Sequence, residues 1–256
     1  MASTFLSRLA GAGVTPNFVS YVGLALALAA AYCFALGAGH VLPWESAQAP
    51  ASWWGVAGGI LLGLSALADI LDGPLARANN LTTPFGAVLD STLDRFGDMA
   101  VLIGCAVYFG ALANVTYILV TCLAMSAGTQ VSYVKARAES LTSGLGVGFW
   151  QRPERTAALI LGGLLGRVPV VLCVLAIFPM FTVLRRVLLA YRLLGNPQQS
   201  RLEKWLDESA PWTQRRYSVP YFATCLVIAV AIVGLPTLHP FFYGSTDPLR
   251  AILRIP

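Results

Sequence analysis

Charged side chains are scarce in this sequence. Only 11% of its 256 residues are Asp, Glu, Lys or Arg, whereas a soluble domain carries about 25%. Hydrophobic residues make up 57% of the chain, and the mean hydropathy is +0.69. This composition argues against a soluble domain and predicts a polytopic membrane protein. The net charge of +5 is typical of basic loops beside a membrane, so we expect no nucleic acid partner.

Histidines are also few, and the cysteines form no recognisable motif. The chain has two histidines and five cysteines, with no CxxC motif and no Cys/His cluster, which argues against disulfides and against a zinc site. The N-terminus has no basic region followed by a short apolar segment and a small-residue cleavage site, so we expect no cleaved signal peptide. The sequence shows no internal repeat of the kind found in many transporters.

Long apolar segments are what the chain has in abundance. A membrane-spanning helix needs about 20 mostly apolar residues. Seven segments meet or approach this length, near residues 17–37, 53–74, 91–112, 114–136, 150–166, 168–191 and 219–236. A Gly-Arg-Val-Pro sequence between the fifth and the sixth predicts a tight turn. The fold class is therefore all-α, a polytopic membrane helix bundle.

Basic residues are distributed unevenly between the two sides of this predicted bundle. With the N-terminus in the cytoplasm, 14 of the 17 Lys and Arg residues face the cytoplasm. Only Arg167, Arg250 and Arg254 fall on the other side. The positive-inside rule favours this orientation. It makes the polar stretch 195–217 a cytoplasmic linker, in which Leu202, Trp205 and Leu206 predict a short interfacial helix.

Four aspartates are concentrated in the stretch 69–94, DILDGPLARANNLTTPFGAVLDSTLD. Asp69 and Asp72 are three residues apart and Asp90 and Asp94 four apart, so each pair shares one face of a helix. The two pairs meet if the second and third helices form a hairpin. Such carboxylates repel one another and are costly near a bilayer. All-oxygen ligands suit Mg²⁺ or Mn²⁺, which would balance the charge.

Two other interpretations of the aspartates stay open at this point. Asp69 pairs with Arg77, and Asp90 or Asp94 with Arg95, if the carboxylates only form ion pairs at the membrane surface. Alternatively, the carboxylates line a proton or ion pathway, as in a transporter.

Residues between the two aspartate pairs favour a phosphate ligand. Gly73 and Gly86 leave the backbone open to close approach. Arg77 carries a forked, permanent charge that suits phosphate. Thr83 offers a hydroxyl, and Pro84 is placed to begin the third helix.

The pattern D-x2-D-G-x2-A-R-x8-G-x3-D-x3-D resembles the signature of the CDP-alcohol phosphotransferase family at every fixed position. The resemblance implies transfer of a phosphatidyl group from a CDP-linked lipid to an alcohol, with release of CMP. It implies a homodimer in a prokaryotic plasma membrane, with its active site facing the cytoplasm. It also implies that residues 1–195 form a six-helix catalytic membrane domain. Residues 196–256 are then a cytoplasmic linker and a C-terminal extension with a seventh membrane helix.

The resemblance also implies roles for individual residues. Asp69, Asp72 and Asp90 bind two Mg²⁺ or Mn²⁺ ions, and Asp94 is the general base and also contacts a metal. The CDP-lipid is bound by Asp69, Asp72, Gly73, Ala76, Arg77 and Thr83. Two metal ions about 3.5–4 Å apart are a known arrangement for clamping a diphosphate.

Basic residues at the ends of three predicted helices indicate a second anion site. These segments and the sequence FGAVLDSTLDR are similar to those of the branch of the family that makes inositol phospholipids from inositol phosphate. By that resemblance the acceptor's phosphate is bound by Lys135, Arg137, Arg155 and Arg186. Glycerol phosphate stays an alternative acceptor because it carries the same charged group. We expect Arg152, Arg185 or both to be anchors to lipid headgroups.

Overall fold

The computed structural model describes residues 15–45, 49–78, 82–142, 146–195 and 219–253. Within these ranges the chain is helical and contains no strand. The helices are α1 (Pro16–Gly37), α2 (Trp54–Ala78), α3 (Pro84–Ala111), α4 (Val115–Glu139), α5 (Arg152–Leu164), α6 (Val168–Leu194), α7 (Val219–Leu238) and α8 (Pro248–Leu253). A short 3-10 turn, Pro240–Tyr243, lies between the last two. The predicted all-α class is confirmed.

Local capping fixes where three of these helices begin. The side chains of Thr15, Thr83 and Asn114 accept hydrogen bonds from backbone N–H groups in the first turns of α1, α3 and α4. Such bonds satisfy donors that have no partner within the helix. Proline follows Thr15 and Thr83, at a position where its missing N–H costs nothing. Pro84 thus begins the third helix, as predicted.

Close helix contacts through small residues hold the bundle together. α1 packs against α2 and α3, α2 against α5, and α4 against α6. A Cβ atom on Gly104 would clash with the backbone of Ala31, and one on Gly163 would lie 2.8 Å from the carbonyl oxygen of Gly55. Only glycine permits this approach of two helix backbones, which is the usual way membrane helices pack.

All seven predicted helices are present, and five are long and apolar enough to cross a membrane: α1, α2, α4, α6 and α7. The other two differ for separate reasons. α3 has 28 residues, but its first 15 include Asp90, Asp94, Arg95 and Asp98. α5 has only 13 residues, about 20 Å of helix, against a hydrocarbon core of about 30 Å. Residues 196–218, with the predicted interfacial helix, lie outside the described residues.

The segment after α7 is bound to the N-terminal end of α4. The carboxylate of Asp247 accepts hydrogen bonds from the backbone N–H groups of Val115 and Thr116, at 2.7 and 3.1 Å, and from the Thr116 hydroxyl. Asn114 donates to the carbonyl oxygens of Gly244 and Thr246. These bonds join residues about 130 positions apart, and they hold the C-terminal segment against the bundle end that lies away from the aspartates.

Candidate active site

Three of the four predicted aspartates form a tight group. Carboxylate oxygens of Asp69, Asp72 and Asp90 all lie within 4.8 Å of one another. They come from the last turns of α2 and an early turn of α3, so the predicted hairpin brings the two pairs together. Asp72 is buried, and Ser20 of α1 donates a hydrogen bond to its Oδ2 at 2.9 Å.

Arg152 connects the fourth aspartate to this group. Its Nη1 lies 2.7 Å from Asp69 Oδ2 and 2.7 Å from Asp94 Oδ2, and its Nε lies 3.3 Å from Asp98 Oδ1. The guanidinium therefore compensates carboxylate charge from the first turn of α5. This contact places Arg152 in the site, whereas the sequence suggested that Arg152, Arg185 or both anchor lipid headgroups. It also replaces the ion pair between Asp69 and Arg77 that the sequence left open.

Asp98 links Arg152 to Arg155. Arg155 Nη2 lies 3.3 Å from Asp98 Oδ2, and its Nη1 donates to the carbonyl oxygen of Trp150 at 3.2 Å. Arg155 is only 6% exposed. A charge this deeply buried is stable only with partners, and Asp98 supplies one. Two arginines of one helix turn are thus fixed by one carboxylate beside the aspartate group.

The residues predicted to hold the nucleotide line the α2–α3 connection. The guanidinium of Arg77 lies over Gly73, because a Cβ added there would be 3.5 Å from Arg77 Nη1. Ala76 is half-buried beside it. The Thr83 hydroxyl accepts a hydrogen bond from Gly86 N–H at 2.9 Å, and a hydroxyl that accepts can also donate to a ligand.

Three of the four predicted acceptor residues lie along one face of α4. Arg155 Nε would be 3.3 Å from a Cβ on Gly128. Arg186, only 1% exposed, donates to the carbonyl oxygens of Val131 and Val147. Lys135 is on the next turn of this face, where it pairs with Glu139 at 3.9 Å. Arg137 is exposed and projects from the opposite side of α4 to Gly128.

A cleft of about 310 Å³ opens beside the aspartates. Its charged lining comprises Asp69, Asp72, Asp90, Asp94, Asp98 and Arg152. Apolar side chains from α1 and α5 complete the walls, among them Leu24, Ala27 and Ile160. One compartment therefore offers carboxylates, a guanidinium and an apolar surface, as a ligand with a charged head and a lipid tail requires.

Sequence reasoning missed three residues of this site: Ser20, Asp98 and Arg152. Ser20 is 52 residues from its partner Asp72, and no local pattern announces it. Asp98 continues the four-residue spacing of Asp90 and Asp94. This spacing could have predicted that Asp98 lies on the same helix face.

The donor set fits a divalent metal ion. Three carboxylates that approach within 4.8 Å offer hard oxygen ligands, and one of them is buried. Such ligands suit Mg²⁺ or Mn²⁺, whereas the described residues bring no His or Cys to the group.

Comparisons with known proteins identify the family. The family model for CDP-alcohol phosphatidyltransferase matches residues 13–195. The phosphatidylinositol phosphate synthase of Mycolicibacterium smegmatis is 35% identical over 189 residues, which are 69% of this chain and 77% of that protein. The archaetidylinositol phosphate synthase of Pyrococcus horikoshii is 34% identical over 180 residues, 70% of this chain and 85% of that protein.

Solved structures give the same result. The crystal structure of Mycobacterium tuberculosis phosphatidylinositol phosphate synthase with CDP-DAG bound matches with a TM-score of 0.64 at 26% identity, over 78% of this chain and 98% of that one. The same enzyme in complex with manganese and citrate matches with a TM-score of 0.63. This chain belongs to the CDP-alcohol phosphatidyltransferase family and is an integral membrane transferase.

Proposed function

We propose that this protein transfers a phosphatidyl group from a CDP-linked lipid to inositol phosphate, with release of CMP, at the cytoplasmic face of a prokaryotic membrane. The observation that carries the proposal is a juxtaposition. Three mutually close carboxylates, Asp69, Asp72 and Asp90, line a cleft whose neighbouring helix turn supplies the buried cation Arg155. The first feature suits a metal-bound diphosphate, and the second suits an acceptor's phosphate.

Asp69, Asp72 and Asp90 would hold the metal, with Asp94 beside them across Arg152. We assign two ions, Mg²⁺ or Mn²⁺, to this site. When bound, they neutralise the diphosphate and stabilise charge on the attacking and leaving oxygens. Ser20 fixes the Asp72 carboxylate by a hydrogen bond, so this ligand is oriented before any ion arrives.

The reaction is a displacement at the phosphorus that carries the lipid. The acceptor's hydroxyl oxygen forms a bond to this phosphorus, and the bond from this phosphorus to the bridging oxygen of CMP breaks. Asp94 takes the hydroxyl proton, and CMP leaves with the electron pair. Arg152, 2.7 Å from Asp94, holds this carboxylate in place on its helix. Positioning and charge compensation are the main demands of phosphoryl transfer.

The chain's remaining site residues divide between the two substrates. The cytidine diphosphate is bound by Gly73, Ala76, Arg77 and Thr83. Arg77 lies over the backbone of Gly73, which has no side chain to block a ligand. The apolar wall of the cleft accepts the first part of the lipid chains.

The acceptor's phosphate binds between Lys135, Arg155 and Arg186, which follow one face of α4. Arg137, on the opposite face of α4, was predicted with them and stays a prediction. The relatives named for inositol phosphate products favour inositol phosphate over glycerol phosphate. The proposal keeps residues 1–195 as the catalytic membrane domain and a homodimer as the assembly.

An acceptor screen tests this function. The purified full-length protein is given CDP-diacylglycerol and Mg²⁺ or Mn²⁺, with inositol phosphate, glycerol phosphate, free inositol or serine. We expect CMP release with inositol phosphate, and none after the metal is chelated. Release with glycerol phosphate alone would reassign the acceptor, and release with free inositol or serine alone would contradict the phosphate pocket.

A further inference from the structure

α7 packs against the bundle although it lies beyond the part of the chain that matches the family model, residues 13–195. The α7 residues that contact the core recur every three or four positions: Tyr221, Cys225, Ile228, Ile232 and Leu235. Ile232 is fully buried, whereas Phe222, Leu226 and Val230 on the other side are exposed. This pattern is that of a helix with one face against protein and one against lipid.

Tyr221, in the first turn of α7, reaches the candidate active site. Its hydroxyl donates a hydrogen bond to Glu154 Oε1 at 3.0 Å, and its ring packs on Phe149 with 5.3 Å between centroids. Glu154 is 8% exposed and lies in the first turn of α5. Because that turn also supplies Arg152 and Arg155, one hydroxyl ties the C-terminal extension to both arginines.

Ion pairs hold the arginine side chains of this turn, but its backbone lacks a side-chain cap. Gln151 occupies the cap position but makes no side-chain capping bond there, and α5 is only 13 residues long. Asp98 contacts both arginines but no backbone of the turn in the described contacts. A small rotation of the turn would move both guanidinium groups relative to the cleft, and such displacements are costly in phosphoryl transfer.

We propose that Tyr221 is a positioning residue for the transfer: it holds Glu154, and thereby the first α5 turn, so that Arg155 faces the acceptor's phosphate and Arg152 the carboxylates. The inference rests on the proposed function. It gives the extension a kinetic role in addition to any contribution to stability.

The test compares two Tyr→Phe variants of the full-length protein. Tyr221→Phe keeps the ring on Phe149 and removes the hydroxyl that donates to Glu154. Tyr117→Phe is the matched control, because its hydroxyl donates at 2.7 Å to the carbonyl oxygen of Phe241, at the other end of the same extension. For each variant the KM of inositol phosphate, the KM of CDP-diacylglycerol, kcat and the melting temperature in detergent are measured.

We expect Tyr221→Phe to raise the KM of the acceptor roughly tenfold, the usual scale for one hydrogen bond to a charged group, and to leave the KM of the CDP-lipid unchanged. Tyr117→Phe should lower the melting temperature without raising the KM of the acceptor relative to that of the CDP-lipid. Unchanged acceptor KM in Tyr221→Phe, or equal changes in both KM values together with a lower melting temperature, would overturn the inference. An inactive wild-type protein would instead count against the proposed function.

Discussion

The two ends of the bundle both concentrate charge, but they use it differently. At the α4 N-terminal end, Asp247 accepts hydrogen bonds from fixed backbone groups, and Arg167 forms a two-pronged ion pair with Glu45 at 2.7 and 2.8 Å. At the other end, Asp69, Asp72 and Asp90 gather around one cleft, and Asp90 has no protein cation within ion-pair distance among the described residues.

The difference separates structural charge from functional charge. A carboxylate that serves the fold accepts hydrogen bonds from donors of the protein, as Asp247 does from four groups. Several carboxylates close together repel one another, and Arg152 compensates only part of their charge, so a bound cation would stabilise the arrangement. Substitutions of one chemical type at the two ends should therefore have opposite signatures, kinetic at one end and thermodynamic at the other.

The largest expected effect is that of Asp90→Asn. The change removes one anionic ligand, and the metal's contribution of several kcal/mol corresponds to a loss of roughly 10³-fold or more in turnover. CMP release is measured as Mg²⁺ is raised to saturation. Asp69→Asn and Asp72→Asn should behave alike. Wild-type turnover at saturating Mg²⁺ in any of the three would disprove their assignment as ligands.

Asp94→Asn should separate binding from chemistry. Without a proton acceptor the turnover should fall about 10²–10⁴-fold, the usual contribution of a positioned base. Affinity for the CDP-lipid should be retained, which is measured by equilibrium binding of the labelled lipid in detergent. If lipid affinity and turnover fell together, Asp94 would be mainly a metal ligand.

Arg155→Lys tests the acceptor pocket and keeps the charge while removing the planar fork. A charge-assisted contact to phosphate is worth about 1.5–3 kcal/mol, so we expect a roughly tenfold to hundredfold rise in the KM of inositol phosphate. The KM of the CDP-lipid should not change. Arg250→Lys, the same substitution at the opposite end, is the control. If the two variants had equal KM values for the acceptor, Arg155 would not contact the acceptor's phosphate.

The smallest effect is expected for Asp247→Asn. Burial opposes ionisation of this carboxyl, but hydrogen bonds from Thr116, Arg250 N–H and Val115 N–H outweigh it and hold its pKa below the usual range. A lowered folded-state pKa stabilises the protein above the unfolded pKa, about 3.9. Near neutral pH the variant should lose about 1 kcal/mol, the usual value of a capping bond.

The melting temperature in detergent measures this loss, and turnover per folded molecule should be unchanged. The difference between wild type and Asp247→Asn should shrink as the pH falls from about 3.9 through the lower pKa of the folded protein, where the wild-type carboxyl becomes protonated. If the variant had normal stability and impaired turnover, Asp247 would serve the reaction and not the fold, which contradicts the difference described between the two ends.

The sequence predicted the helices better than their boundaries. The third apolar segment was predicted from residue 91, whereas its helix begins seven residues earlier, at Pro84, the residue predicted to start it. Hydropathy marks the part of a helix that lies in lipid, but hydrogen bonding continues through its polar turns. The second was predicted to end at residue 74 and continues to Ala78 for the same reason. Capping by Thr83, a local signal, sets the true start of α3.

The site was predictable where spacing along one helix determines contact. Asp69 with Asp72, and Asp90 with Asp94, followed from helical periodicity. Arg152 did not, since Arg152 and Arg155 are three residues apart on one helix and only tertiary packing decides which of them meets Asp69 and Asp94. Tyr221 and Glu154 are 67 residues apart, and no local pattern links them.

The most direct test of the account is the stoichiometry of the reaction in the purified protein. Labelled inositol phosphate and CDP-diacylglycerol are incubated with Mg²⁺, and both CMP and labelled lipid are quantified. We expect one lipid product for each CMP released, loss of both after chelation, and recovery of both when Mg²⁺ or Mn²⁺ is restored. CMP release without labelled lipid, or transfer that persists after chelation, would contradict it.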